Sequence, residues 1–263
     1  MTAAVTDTST MLRRNLTHMR RYPSLTLMLV GMPVAFMLLF VYVFGGTMGA
    51  GLDIARGGVQ NRSAYTNYLV PGILMISVAA VAQGTAIVVA MDMTEGVIAR
   101  FRTMAIFRPS VLTGHVLSAL IQTYLALAAA TLVALAVGFR PNASPLEWLA
   151  AAGIMGLIGL ALTWMCVAIG LTSKTVEAAS NLPQPLIFLP FLGSGFVPTS
   201  SMPAAIRWFT VNQPFTPVME TLRGLLVGTP IGNRGVVAIA WCVGISALSA
   251  AWAIRAYNRD PTP

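Results

Sequence analysis

The stretch SAYTNYLVPGILMISVAAVAQGTAIVVAM, Ser63–Met91, decides the fold. It carries no charged side chain between Arg62 and Asp92. A helix crosses a hydrocarbon core roughly 30 Å thick with about 20 apolar residues, and this run is longer than that. Lipid offers nothing to an unpaired backbone group, and the run does not alternate polar with apolar residues as a barrel strand does. A transmembrane helix over about Leu69–Met91 is therefore predicted.

The same pattern recurs on both sides. Charge-free runs also cover Tyr22–Leu52, Pro109–Phe139, Trp148–Ser173, Ala178–Ile206 and Gly235–Ile254. They predict spans at about Leu25–Phe44, Val111–Val137, Trp148–Leu171, Ala178–Leu192 and Val236–Ala253. The fold class is all-α integral membrane, with six transmembrane helices. Composition agrees: 56% of the 263 residues are hydrophobic and 9% are charged, whereas a soluble domain carries about a quarter charged residues. A net charge of +8 would suggest nucleic acid in a soluble protein. Here the arginines sit beside apolar runs, so they read as setting orientation and meeting anionic lipid, and no nucleic-acid partner is expected. Cys166 and Cys242 lie inside apolar runs and build neither a disulfide scaffold nor a metal site with the two scattered histidines.

Residues 1–8 read as a disordered tail. In the following Thr10–Arg21, Leu12, Leu16 and Met19 share one face at helical spacing, with Arg13, Arg14, Arg20 and Arg21 around the others. That predicts a short basic helix in the inner membrane interface. The apolar run after it exceeds the roughly 7–15-residue core of a signal peptide and shows no clear small-residue cleavage site, so it reads as an uncleaved first span. Residues 1–24 are thus a cytoplasmic tail with an interfacial basic helix, and 25–263 a six-span membrane domain. An even number of spans places both termini on one side. With that side cytoplasmic, ten basic residues fall inside (Arg13, Arg14, Arg20, Arg21, Arg100, Arg102, Arg108, Lys174, Arg255, Arg259) and six outside (Arg56, Arg62, Arg140, Arg207, Arg223, Arg234). The excess predicts cytoplasmic N and C termini, in a cell's inner (plasma) membrane.

The fifth run is irregular. Pro183, Pro185, Pro190, Pro198 and Pro203 interrupt it, and each removes a helix donor. Broken backbone at membrane depth survives only where protein or water covers it. The expectation is a helix that ends early, followed by segments dipping into the outer leaflet. A short helix fits Pro217–Val227, with Thr216 as N-cap, Pro217 at the first position, and Gly228 with Pro230 as the stop.

The spans hold no side chain that ionises near pH 7 except His115. Proton- or ion-coupled transporters keep buried acids or histidines as relays, so energy must come from elsewhere. A nucleotide site is absent too: in Gly170-Leu171-Thr172-Ser173-Lys174-Thr175 the glycine that a P-loop needs before its lysine is Ser173. His18 and His115 have no evident partner for hydrolytic chemistry, so the chain is not read as an enzyme. Asn142-Ala143-Ser144 fits a glycosylation triplet, a pattern common by chance.

Two loops stand out. The first, Asp92–Pro109, holds Asp92 and Glu95, then Arg100, Arg102 and Arg108, with Val97, Phe101, Met104 and Arg108 spaced as a helix face. It reads either as a solvated loop whose arginines set topology or as a helix parallel to the membrane that docks on a cytoplasmic partner, with Phe101 and Phe107 as apolar anchors. The second holds Phe196-Val197-Pro198, Met202-Pro203 and Gln213-Pro214-Phe215-Thr216-Pro217-Val218, then Glu220-Thr221-Leu222-Arg223-Gly224-Leu225. Glu220 and Arg223, one turn apart, are expected to pair and to anchor an outer gate.

At these two loops the sequence resembles the type-2 ABC transporter permeases, specifically the daunorubicin-resistance membrane-subunit group of actinobacteria. The inner loop matches in an acid, Gly96-Val97-Ile98, Arg100-Phe101-Arg102, Arg108 and Val111-Leu112 with Gly114; the outer loop matches in the motifs just quoted. The resemblance implies that Asp92–Phe107 is a coupling helix seated in a separate ATP-binding subunit, with Asp92, Glu95, Gly96, Arg100, Phe101, Arg102 and Arg108 as coupling residues. It makes the N-terminal helix an interfacial connecting helix. The stretch between spans five and six becomes re-entrant outer helices capping the exit, with Pro198, Pro203, Pro214, Pro217, Glu220 and Arg223 as gate residues. Two permease chains, the same or related, and two ATPase subunits would form the working unit. The chain itself would bind no cofactor, ATP and Mg belonging to the ATPase subunit. Met28, Met32, Phe36, Phe40, Phe188 and Phe191 are candidates for a path taking an amphipathic cargo such as a drug, a polyketide or a lipid-like metabolite outward. The departure from the family is a coupling region with only Asp92 and Glu95 where the wider family is glutamate-rich. The rival readings are an ATPase-independent channel or scaffold, and a proton-driven drug antiporter.

Overall fold

The computed structural model describes residues 8–15, 17, 23–45, 62–96 and 109–258, and among these every regular element is helical. In chain order the elements are α1 (residues 8–15), α2 (Pro23–Leu39), continued by a π-helical turn at Phe40–Phe44, α3 (Arg62–Thr94), α4 (Pro109–Val137) and α5 (Pro145–Thr172). Next come α6 (Val176–Asn181) and α7 (Gln184–Phe188), a 3-10 turn at Thr199–Ser201, α8 (Ala204–Asn212), α9 (Phe215–Val227) and α10 (Arg234–Asn258). Four helices, α3, α4, α5 and α10, are long and apolar enough to cross a membrane. The protein is an all-helical integral membrane protein. The remaining apolar length lies in α2 with its π turn and in the broken segment from α6 onward.

Helix α3 is the axle of the bundle. Its most apolar window is 83% buried, against 28% for α4 and 22% for α10. It contacts α2, α4, α5, α6, α7 and α9, while α10 lies chiefly on α5 and α9. The side chains of Tyr65, Leu69, Ile73, Met75 and Ile76 along α3 are wholly or almost wholly buried. An isolated apolar helix needs no such coverage in lipid. A central one gets it because neighbours pack on every side. Cys166 and Cys242 are buried, free thiols, in keeping with a packing role.

Local sequence explains the element ends. Ser144 and Glu147 form a reciprocal capping box with Pro145 in the first turn, which starts α5 where the loop ends. The hydroxyl of the Asn142-Ala143-Ser144 triplet is thereby engaged with Glu147. Gly228 at φ +80° closes α9, its N–H donating to the Gly224 carbonyl. Helix α9 starts earlier than expected: Pro214 is the N-cap and no side chain caps it, so Thr216 lies inside the first turn, buried, rather than at the cap. A proline at the cap sets the backbone there without needing a side-chain acceptor.

The prolines break the fifth run as anticipated. Helix α6 has six residues and α7 has five, and turns carry the chain through 189–196. The Gln83 side chain of α3 donates to the Ser180 carbonyl at 2.7 Å. At the other end, Gly72 approaches Gly195 so closely that a Cβ on Gly72 would lie 3.0 Å from the Gly195 Cα. From Gln83 to Gly72 is about 16 Å along the helix axis. The broken segment therefore runs antiparallel to α3 over that distance. Helices α8 and α9 form a hairpin against it: Thr210 donates to the Leu192 carbonyl at 2.7 Å and Gln213 to the Leu189 carbonyl at 3.2 Å. The hairpin returns to the α4–α5 loop, where the Asn142 N–H meets the Leu226 carbonyl.

The Gly72–Gly195 contact supports a direct test. Replacing Gly72 by Ala pushes a methyl into backbone, so the expected loss is about 1–3 kcal/mol of stability. Detergent-solubilised Gly72→Ala should melt several degrees lower by size-exclusion thermal stability, while Gly153→Ala, which meets open space on α5, should not.

Candidate functional site

Three constellations emerge. The first is a polar cluster where α1, the end of α3 and the start of α4 converge. Helix α3 runs past Met91 to Thr94 and so takes in Asp92, which is buried. Its carboxylate accepts two hydrogen bonds from the Arg14 guanidinium, at 2.7 and 3.0 Å. The His115 Nε2 lies 3.3 Å away. Asn15 meets His115 Nδ1 and the Ser118 hydroxyl, each at 3.4 Å. The Asp92 carboxylate also holds the Arg14 guanidinium above its ordinary pKa, because an opposite charge favours the ionised form.

One expectation changes here. His115 has partners, since the second turn of α4 faces the last turn of α3. Helix α1 seats Met11 against the bundle, with Arg14 and Asn15 one turn on, and Leu12 is partly covered. The carboxylate of Asp92 attracts Arg14 to the packed side, and Gly114 on α4 makes room for Met11, whose Cβ sits 2.7 Å from where a glycine Cβ would be. Thr8, assigned to the tail, already belongs to α1. Leu16, Met19, Arg20, Arg21 and His18 lie outside the described residues.

Of the predicted coupling residues, Glu95 is exposed in the turn that ends α3, and Gly96 takes φ +70°, a conformation that favours glycine. Arg100, Phe101, Arg102 and Arg108 lie outside the described residues. Asp92 faces inward to Arg14 and His115, not out toward solvent.

The second constellation is the α8–α9 hairpin. Arg223 is buried at 8% exposure and does not pair with Glu220. It donates to the Ser194 carbonyl at 2.6 Å and the Tyr68 carbonyl at 3.2 Å, and its guanidinium stacks 3.9 Å over the Tyr68 ring. Glu220 pairs instead with Arg234 at the start of α10, at 2.9 Å. The reason is local. The turns at 189–196 leave carbonyls without helical donors, and Pro198 lacks the N–H that a continuing helix would offer to the Ser194 carbonyl. A guanidinium with five N–H groups can cover such carbonyls, which draws Arg223 inward and leaves Glu220 to face α10. Pro198 precedes the 3-10 turn, Pro203 opens α8, and Pro214 and Pro217 stand in the opening turn of α9.

The third constellation is aromatic. Phe191 stacks on Phe196 with centroids 4.3 Å apart, Phe40 lies 4.8 Å from Phe196, and Phe36 meets Phe191 edge-on at 5.7 Å. The π turn places Phe44 5.4 Å from Phe40. Three predicted path residues, Phe36, Phe40 and Phe191, thus come together with Phe196 and Phe44. Phe188 and Met32 stay outside the cluster, 55% and 46% exposed. The Met28 side chain lies outside the described residues. Arg14, Tyr68, Ser194, Phe196 and Arg234 are the partners that sequence reasoning did not assign to a site. Only Ser194 was hinted at, by the density of prolines that marks carbonyls needing donors.

A model of the family "ABC-2 type transporter" matches residues 6–227 of this sequence. The chain belongs to the ABC-2 type transporter family. The match reaches from α1 through residues 97–108 and the broken segment to the last residue of α9. Among curated relatives, a daunorubicin resistance ABC transporter permease protein of Streptomyces coeruleorubidus is 26% identical over 258 residues, 97% of this chain and 87% of the relative. A probable doxorubicin resistance ABC transporter permease protein, found in two strains of Mycobacterium tuberculosis, is 27% identical over 221 residues, 80% of this chain and 78% of the relative. The resemblance drawn from the two loops is thereby borne out, and the ABC-2 assignment makes this chain the membrane subunit of an ABC transporter.

The Asp92 cluster gives the next measurable outcome. Asp92→Asn removes the charge that holds the part-buried Arg14 guanidinium, a loss of about 1–2 kcal/mol. A cysteine introduced at Met11 should then react with a soluble maleimide about tenfold faster or more than in the Asp92 background. An unchanged labelling rate would mean that α1 is held by Met11 packing alone.

Proposed function

We propose that this chain is the six-span permease subunit of an ATP-driven exporter, moving an amphipathic cargo such as a drug, polyketide or lipid-like metabolite outward across the plasma membrane. The observation that carries the reading is the convergence of α1 and both helix ends flanking residues 97–108 on one buried ion cluster. A segment gripped in that way can pass a push from a cytoplasmic ATPase directly into the two spans it joins. Asp92 acts by holding α1 to α3, and Glu95, Arg100, Phe101, Arg102 and Arg108 are the residues proposed to meet the ATPase groove. Gly96 lets the chain turn out of α3 toward it. This subunit holds no ATP site of its own, and ATP with its Mg belongs to two copies of the partner.

The first and fifth spans are proposed to be α2 with its π turn and the broken segment from α6 to Ser194. The α8–α9 hairpin then re-enters the outer leaflet. Its loop reaches Leu189, its return strut is held by Arg223, and Glu220–Arg234 ties it to α10, so the hairpin caps the exit. Both termini are cytoplasmic by the ten-to-six balance of basic residues. A second permease chain, identical or related, faces this one, and the aromatic cluster with Met28, Met32 and Phe188 lines the path between them. Alternating access follows when ATP binding draws the two coupling loops together, closing the inner side and freeing the outer hairpins.

The test is co-purification with a co-expressed ABC-type ATPase subunit. Arg100→Ala/Arg102→Ala should weaken complex formation and lower ATP hydrolysis in membranes about tenfold, as expected for loss of charge-assisted contacts. Unchanged hydrolysis and assembly would remove the docking role. Transport that collapses with an uncoupler while ATP stays high would favour a proton-driven antiporter.

A second outcome concerns the cap. Arg223→Met keeps the stem and removes the donors to Ser194 and Tyr68, so the expected loss is about 2–4 kcal/mol. Limited proteolysis from the outer face should then cut near Pro198 at far lower protease concentrations than in the parent.

A further inference from the structure

Gln83 and Gln184 are the amide pair that the apolar path leaves unexplained. The Gln83 Nε2 donates to the Ser180 carbonyl and to the Gln184 Oε1, both at 2.7 Å. Among the described residues, the Gln83 side-chain oxygen and the Gln184 side-chain nitrogen have no hydrogen-bonding partner. Gln184 is exposed, Gln83 partly so, and Asn181 is exposed one turn before Gln184. The position makes this costly. Gln83 lies about 13 Å along α3 from Asp92 and about 24 Å from Asn67, which bonds the Arg140 N–H beyond the other end of the bundle. That is inside a hydrocarbon core about 30 Å thick. An amide facing lipid there forfeits its hydrogen bonds with nothing in exchange.

The surroundings say what should sit against it. On the broken segment, Asn181, Gln184, Phe188 and Leu192 form one stripe at helical spacing, with Phe188 and Leu192 exposed. Helix α2 runs beside this stripe, held by the Phe36–Phe191 contact. Met32, one turn before Phe36, is exposed level with Phe188, one turn before Phe191. The face thus has an apolar half toward Phe36 and an amide half toward Gln83. Glu177, the first charged side chain on this segment, is exposed a turn before Ser180, toward the Asp92 end.

We propose that Gln83 and Gln184 form a hydrogen-bonding subsite within the membrane that selects cargo bearing a hydroxyl or carbonyl group, whose apolar body rests on Met32 and Phe188. This rests on the permease reading and adds the chemistry of selection to it. The free oxygen of Gln83 accepts from a hydroxyl, and the free N–H of Gln184 donates to a carbonyl or hydroxyl. A purely hydrocarbon cargo would leave both open.

The experiment uses the chain reconstituted with its ATPase in proteoliposomes, with ATP-dependent transport of progesterone and of its 17,21-dihydroxy counterpart measured and normalised to membrane partitioning. The expected result is a preference of about fivefold for the dihydroxy steroid, the worth of about one net hydrogen bond. Gln83→Met and Gln184→Met should bring the ratio near unity, while Gln184→Asn, which keeps an amide on the same face, and Leu248→Ala, on the exposed face of α10, should keep most of it. Equal rates in the parent complex, or a ratio unmoved by either Met variant, overturns the proposal and leaves the permease reading intact. A parent complex that transports neither steroid and hydrolyses no ATP fails both. Efficient disulfide formation between two copies of Gln184→Cys, unaffected by either steroid, shows that this face is sealed against the second copy with no room for cargo and also overturns it.

Discussion

Everything in this bundle follows from one constraint: a backbone group broken out of helical pairing inside a membrane must find its partner in protein. The prolines at 183, 185 and 190 break the fifth run, and the fold answers by laying that segment along α3. Gln83 reaches the Ser180 carbonyl, Thr210 the Leu192 carbonyl, Gln213 the Leu189 carbonyl and Arg223 the Ser194 carbonyl. The close approach of Gly72 and Gly195 is what brings the two backbones within reach. Coverage of α3 is thus a requirement of the broken segment as much as a result of apolar packing.

The two ends of the bundle are held differently. At the Asp92 end an ion cluster joins residues 78 apart in sequence, and its members come from α1, α3 and α4. At the other end a cation sits on backbone carbonyls and an aromatic ring, and a separate ion pair, Glu220–Arg234, joins α9 to α10. The first arrangement depends on charge complementarity, which weakens if any one member is neutralised. The second depends on local backbone geometry, which persists while the proline-broken turns do.

The long helices were legible because charge is so costly in lipid that its absence marks α3, α4, α5 and α10 to within four residues at each end. The stop of α9 was legible for a similarly local reason, Gly228 adopting the left-handed conformation that ends a helix. The family was legible in the order of motifs across two loops. What could not be read was pairing across space. Glu220 and Arg223 stand at helical spacing and look like partners, yet carbonyls released elsewhere by proline claim the arginine. His115 looked isolated because Asp92 and Asn15 approach it from distant parts of the chain.

The seating of Arg223 also bears on biogenesis. A guanidinium entering hydrocarbon alone is costly by several kcal/mol, but here both acceptor carbonyls, Tyr68 and Ser194, precede it in the chain. Synthesis from the N-terminus therefore delivers the receptor before the cation. In the proposed re-entrant arrangement the translocon releases the hairpin into a pocket already lined for it, and α10 then closes over it.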